Sequence, residues 1–229
     1  MTEKGDHTEG RLRARPVGAY RTAPVGPPPA VPPERGDFLL RVPTTYRPGS
    51  PAPLTVMLHG AASRAEDVSA LLEDLAERIG AILLAPNSRE YTWDVIVGGY
   101  GPDVAAIDRV LAWTFSSYAI DPARIGIGGF SDGASYALSL GLTNGDLFSH
   151  VLAFSPGFMA PAGQEGSPRI FVSHGTRDAV LPIDRCSRRI VPTLRRAGYD
   201  VAYREFDGGH AVPPEVVHDA ANWFTTEGG

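Results

Sequence analysis

Ser131, Asp178 and His210 occur in an order and a setting that can build a nucleophile relay. Ser131 lies in Gly129-Phe130-Ser131-Asp132-Gly133, between a short apolar run and an Ala-rich helical pattern. An alkyl hydroxyl is a weak nucleophile at neutral pH, so it needs a base within hydrogen-bond reach, and that base needs an acid to hold its tautomer. Asp178 closes the turn His174-Gly175-Thr176-Arg177-Asp178, and His210 closes Asp207-Gly208-Gly209-His210. The chemistry this trio suits is attack on a carbonyl carbon, in which negative charge develops on oxygen and must meet fixed N–H donors. The backbone N–H of Asp132, at the start of the following helix, is one candidate donor. The N–H of Ala61, in Leu58-His59-Gly60-Ala61-Ala62, is the second. In this arrangement His59 holds its loop through its side chain and transfers no proton, and His174 braces the turn that carries Asp178.

A serine on a tight strand-to-helix turn sits at strained backbone angles, and the residues two places to either side, Gly129 and Gly133, must lack bulk where the chain folds back. The surrounding pattern supplies that setting. Apolar runs predict strands at 38–42, 54–58, 81–85, 124–128, 150–154, 169–173 and 201–206; helical periodicity predicts helices at 68–79, 102–118, 132–142, 184–197 and 214–224. Alternation of the two implies an α/β fold, a mainly parallel sheet with helices on both faces. Asp178 and His210 each fall just beyond a strand's carboxyl end, where open α/β sheets place their ligands. The segment between Phe154 and Arg169 is a short loop, with no room for a large lid. Residues 1–36 form a proline-rich arm, extended or partly disordered, within which 12–15 alternates weakly and predicts an edge strand; residues 37–229 form the catalytic domain.

Other acids and histidines have simpler readings. Asp184 fits a helix N-cap and Asp207 a turn acid, while His218 falls inside a surface helix and His150 opens a strand. Cys186 lies among Arg185, Ser187 and Arg188 as an incidental thiol. The loop 87–100 holds Tyr91, Trp93 and Tyr100 after a strand that ends near the nucleophile, so Trp93, and with it Phe158, is a candidate for the substrate pocket.

Bulk properties narrow the function classes. The chain has 229 residues, 43% hydrophobic and 21% charged, with a formal net charge of -5. That is one globular domain with no field for gripping phosphate backbones, which argues against nucleic-acid binding. The polar N-terminus lacks an apolar targeting core and no stretch reaches membrane-spanning length, so a cytoplasmic location is expected. One cysteine excludes an internal disulfide and a thiolate zinc site, and the six histidines show no metal-ligand spacing; neither metal nor cofactor is expected. Gly126-Ile127-Gly128-Gly129-Phe130-Ser131 approaches a dinucleotide-binding fingerprint, but its last position fails and Asp178 and His210 would be left without a role.

Taken together, Leu58-His59-Gly60, Gly129-Phe130-Ser131-Asp132-Gly133, His174-Gly175-Thr176-Arg177-Asp178 and Gly208-Gly209-His210 resemble a serine esterase of the α/β-hydrolase superfamily, similar to the phospholipase/carboxylesterase and dienelactone-hydrolase-like branch. The resemblance implies Ser131 as nucleophile, Asp178 as acid, His210 as base and the amides of Ala61 and Asp132 as oxyanion donors. Without a lid insertion after Phe154 there is little surface to bury a long acyl chain, so small or short-chain esters are the expected substrates. Thioesterase, phospholipase and polyester hydrolase use the same machinery, and a non-catalytic ligand-binding relative is the alternative of another class. Asp132 stands where the carboxylesterase branch often has glutamine, and Ser131 where dienelactone hydrolases have cysteine, so the resemblance does not carry a particular ester across.

Overall fold

The computed structural model describes residues 5–16 and 37–226. Seven strands, β1 (Phe38–Arg41), β2 (Ala52–Leu58), β3 (Ile82–Pro86), β4 (Ile120–Phe130), β5 (His150–Phe154), β6 (Arg169–Gly175) and β7 (Val201–Phe206), form one sheet in the order β1-β3-β2-β4-β5-β6-β7. Only β1 runs antiparallel. The central strands are buried on both faces, and their side chains divide between two cores with the period of a pleated strand. On β3, Ile82 and Leu84 join the core under α4 (Pro102–Ser117), α5 (Asp132–Thr143) and α6 (Ser187–Arg196). Leu83 and Ala85 join the core under α2 (Ala65–Ile79) and α7 (Pro214–Thr225). This is the α/β-hydrolase layering with no lid between β5 and β6.

Two helix starts differ from the sequence expectation. The first, α2, begins three residues early because the Asp67 carboxylate accepts the Arg64 N–H at 2.9 Å and the Ser63 hydroxyl at 2.8 Å, closing the first turn over the buried Ala65. The second, α6, begins at Ser187 rather than 184, because Pro182 to Cys186 form a turn in which Arg185 N–H donates to the Pro182 carbonyl.

The expected edge strand at 12–15 is also absent; these residues lie as irregular chain across α4 and α5. Their amides are taken by side chains instead of a strand. Arg13 and Ala14 N–H both donate to Asp108 Oδ1 at 2.8 Å, and Leu12 N–H to Asn144 Oδ1 at 2.9 Å. Leu12 is buried in the core, and Arg11 and Arg15 converge on Asp146. With its amides already satisfied, this strap has no ladder to offer the sheet. Its N-terminal end is a single turn, α1 (Gly5–Thr8). The proline run 24–33 lies outside the described residues.

Burial also leaves a pH signature at the base of the sheet. His150 opens β5 with its ring 4.4 Å from that of Phe224; burial, then the nearby Arg169 charge, pushes its pKa down to about 4. A folded pKa below the ordinary 6.5 means the unfolded chain binds the proton more tightly. Stability from this group is therefore full above about 6.5 and lost as pH falls toward about 4. His150→Phe is expected to flatten the fall of Tm over that window by several degrees; an unchanged slope in a thermal-melt series would remove His150 as its cause.

Candidate active site

Ser131 stands alone between the end of β4 and the start of α5, at φ 59 and ψ -121, a conformation that L-residues rarely adopt. Its backbone is held from both sides. Ser131 N–H donates to the Phe154 carbonyl of β5 at 3.0 Å, while its own carbonyl accepts from Ala134 N–H at 3.0 Å and Ser135 N–H at 3.1 Å. Close approach explains the flanking glycines: a Cβ on Gly133 would run into the Leu58 and His59 carbonyls, and one on Gly129 into Leu58 and Gly133. Any larger residue at either place would force the turn open and move the hydroxyl it presents.

Asp178 and His210 arrive on neighbouring strand ends, after β6 and β7. His210 Nδ1 lies 2.6 Å from Asp178 Oδ2. Asp178 Oδ1 accepts Val180 N–H at 2.9 Å and Leu181 N–H at 2.8 Å. Burial opposes ionisation of this carboxyl, but the Leu181 amide, the His210 hydrogen bond and the His210 charge outweigh it, so its pKa lies below the ordinary value. A carboxylate then faces Nδ1, which fixes the Nδ1–H tautomer of His210 and leaves Nε2 as the basic nitrogen. The ring lies beside the elbow, 4.6 Å from that of Phe130, the residue before the serine.

His174 supports this acid from behind. It is fully buried, with Nε2 2.8 Å from the Leu181 carbonyl and 3.2 Å from Asp178 Oδ2, and Nδ1 2.6 Å from Ser187 Oγ. A carbonyl only accepts, so Nε2 carries the hydrogen and Nδ1 takes the Ser187 hydroxyl; burial holds the ring neutral by lowering its pKa. The competing acids lie elsewhere: Asp184 pairs with Arg188 at 2.8 Å and Asp207 with Arg177 at 3.0 Å, all well exposed.

The loop after β2 is fixed through His59. Its Nδ1 donates to the Gly60 carbonyl at 2.8 Å, its Nε2 accepts Ser88 N–H at 3.0 Å, and burial lowers its pKa, so it is a neutral brace. Ala62 N–H donates to the Tyr91 carbonyl at 3.0 Å. Among the described residues no acceptor takes the N–H of Ala61 or of Asp132, and a Cβ on Gly60 would lie 3.4 Å from the Ser131 Cβ. Both amides are thus free on elements that meet at the serine.

Trp93 does not line a pocket. It has no exposed surface; its indole N–H donates to the His59 carbonyl at 2.8 Å and its ring stacks on Tyr136 at 5.1 Å. A large ring with one donor is most stable where both are buried and satisfied, and here it anchors the 87–100 loop. A short helix, α3 (Asp94–Val97), interrupts that loop, and Thr92 Oγ1 donates to Asp132 Oδ2 at 2.7 Å, tying it to the elbow. Phe158 is half-buried on a segment zipped to α5: Ser135, Ser139 and Thr143 hydroxyls accept the amides of Gly157, Ala160 and Ala162. The i, i+4, i+8 spacing of those hydroxyls is visible in the sequence, but nothing there says which segment they would bind.

Two hollows flank the loop at 60–64. One, about 240 Å³, is largely apolar and lined by Gly60, Ser63, Asp67, Val68, Leu71 and Phe130. The other, about 570 Å³, is polar and reaches from His59 and Ala62 to the 87–91 segment. No helix among the described residues is long and apolar enough to cross a membrane.

The sequence profile of the phospholipase/carboxylesterase family matches residues 106–227, just over half of the chain. A curated relative, acyl-protein thioesterase 1 of Gibberella zeae, is 30% identical over 110 residues; the match spans 44% of this chain and 46%, less than half, of the thioesterase. Among solved structures, esterase PE8 is 25% identical with a TM-score of 0.65, covering 82% of this chain and 96% of its own. A phospholipase/carboxylesterase from Dyadobacter fermentans (20% identity, TM-score 0.61, 84% and 97% covered) and the Bacillus cereus carboxylesterase (18%, 0.63, 83% and 94%) share the fold.

Proposed function

The chain belongs to the phospholipase/carboxylesterase family, and on that footing we propose that it hydrolyses carboxylic esters through a covalent acyl-serine intermediate, with Ser131 as nucleophile, His210 as base and Asp178 as the orienting acid. The observation that carries this reading is the 2.6 Å bond between Asp178 and His210 beside a serine held at φ 59. In the first half-reaction Ser131 Oγ attacks the ester carbon as His210 Nε2 takes its proton. The oxyanion is met by the amides of Ala61 and Asp132, and the C–O bond to the leaving group breaks as His210 returns the proton to the alkoxide. Water then repeats the cycle against the acyl-serine, giving the acid and free Ser131. Asp178 keeps its charge throughout and stabilises the imidazolium.

The substrate is a small or short-chain ester. An apolar groove of about 240 Å³ beside the elbow is smaller than the roughly 300–1,000 Å³ of most ligand pockets, and no lid among the described residues extends it. Each methylene buried there contributes about 0.8 kcal/mol, roughly fourfold in kcat/KM, until the groove is full. Across p-nitrophenyl esters from acetate to palmitate, kcat/KM is expected to peak at the short end and fall beyond it. A peak at the long end, or activation at an oil–water interface, would overturn the short-chain reading in favour of a lipase. The likeness to an acyl-protein thioesterase favours thioesters as the second reading; a matched ester and thioester pair in the same series separates the two.

A further inference from the structure

We propose that Thr92 is a positioning residue for the oxyanion: its hydroxyl holds the Asp132 side chain, and through it the Asp132 amide, at a fixed separation from the amide of Ala61. The proposal rests on the esterase reading above and deepens it by naming what sets the two donors relative to each other. The donors belong to different elements, Ala61 to the loop after β2 and Asp132 to the first turn of α5. The pairing of β2 with β4 ends at Leu58 and Gly129, so both amides lie beyond the ladder. Three consecutive residues of the 87–100 loop touch both sides. The Tyr91 carbonyl accepts the Ala62 N–H at 3.0 Å, the Trp93 indole N–H donates to the His59 carbonyl at 2.8 Å, and Thr92 Oγ1, between them, donates to Asp132 Oδ2 at 2.7 Å. The outer two bonds clamp the loop on either side of Ala61; the middle one reaches across to the elbow.

The clamp is itself rigid. Arg89 N–H and Asp94 N–H both donate at 2.7 Å to the carboxylate of Asp103, which is buried, so one side chain holds both ends of the segment. The Trp93 ring stacks on Tyr136, one turn along α5 from Asp132, and the Tyr136 hydroxyl donates to Asp94 Oδ1 at 2.7 Å. On the other side, Ala62 sits at φ 57, a strained angle for alanine that the bond to Tyr91 helps to hold. Thr92 is buried, and among the described residues its hydroxyl is the only hydrogen-bond partner of the Asp132 carboxylate. Released, a carboxylate in the first turn of a helix turns to the unbonded amides there, its own among them. That would occupy an N–H the oxyanion needs and set a second negative charge beside it. Thr92 thus keeps the carboxylate committed to the loop and the amide open to substrate.

The test compares Thr92→Val, which keeps the shape and removes the hydroxyl, with Thr92→Ser, which keeps the hydroxyl, on the best p-nitrophenyl ester of the intact chain. Removing a whole oxyanion donor costs about 10² to 10³ in kcat, so a donor displaced rather than removed is expected to cost about tenfold to fiftyfold in Thr92→Val. KM should stay within about twofold, because the contact matters to the transition state and not to the bound ester, and Thr92→Ser should stay within about threefold of the parent in kcat. Inhibition by a trifluoromethyl ketone, whose hemiketal with Ser131 carries the same oxyanion, should weaken in Thr92→Val by about the factor lost from kcat/KM. A double-mutant cycle separates a role through Asp132 from a general loosening of the loop: in an Asp132→Ala background, Thr92→Val is expected to cost less than about threefold. Parental kcat in Thr92→Val, no rescue by serine, or an equal loss with and without the Asp132 carboxylate would each overturn the positioning role. Should the valine variant fail to fold, Thr92→Ala is read against Thr92→Ser by the same criteria. No turnover of any p-nitrophenyl ester by the intact chain would instead overturn the esterase reading, and the oxyanion role with it.

Discussion

Ser131→Ala is expected to lower kcat for any accepted ester by on the order of 10⁶, the scale seen when a triad serine is removed, while leaving the far-ultraviolet circular dichroism and Tm close to those of the parent. The size follows from the division of labour. On the proposed mechanism alanine removes the atom that would form the acyl bond, and what would remain is the positioning of the ester by the apolar groove and the two free amides. Such residual sites still accelerate hydrolysis by roughly 10³ to 10⁴ over water. The neutral effect on folding has its own cause: serine and alanine both carry a Cβ, so the strain at φ 59 is unchanged, and the bonds that hold the turn are made by Ser131 backbone atoms. A variant retaining near-parental kcat with an unchanged fold would assign the nucleophile elsewhere.

Asp178→Asn is expected to cost on the order of 10⁴ in kcat, by precedent for the orienting acid of a triad. Asparagine keeps one oxygen to accept the Val180 and Leu181 amides, so the turn survives. Its NH₂ then faces His210 Nδ1, which must become an acceptor; the hydrogen moves to Nε2 and the base can no longer take the serine proton. Asp184→Asn and Asp207→Asn remove exposed ion pairs with Arg188 and Arg177, worth at most about 1 kcal/mol of stability each, and no tautomer depends on them. Steady-state kinetics on the three variants decides the matter. A loss at Asp207 equal to that at Asp178 would reassign the acid.

How far the sequence could be read depended on whether a residue's role was set locally. Gly129 and Gly133 were legible because a backbone approach that excludes a Cβ admits only one residue type. The strands were legible because burial on both faces demands unbroken apolar runs. Trp93 was not, because an aromatic residue in a glycine-rich loop has the same local signature whether it faces solvent, substrate or the core; only its bond to the His59 carbonyl and its stack on Tyr136, which lies 43 positions further along the chain, decide. The strap at 12–15 misled for a related reason. Its alternation was real, but Asp108 and Asn144 took the amides that a neighbouring strand would have needed. Thr92 and the Ser135, Ser139 and Thr143 row were invisible as site supports because their partners lie on other segments, and no periodicity records contacts between segments.

The most direct test of the central claim is the intact mass of the protein after treatment with a fluorophosphonate, followed by peptide mapping. A single adduct on the peptide containing Ser131, absent from Ser131→Ala and slowed by several orders of magnitude in Asp178→Asn, is the predicted result. No adduct on the folded protein, or equal labelling of Ser131→Ala, would contradict the assignment of Ser131 as an activated nucleophile.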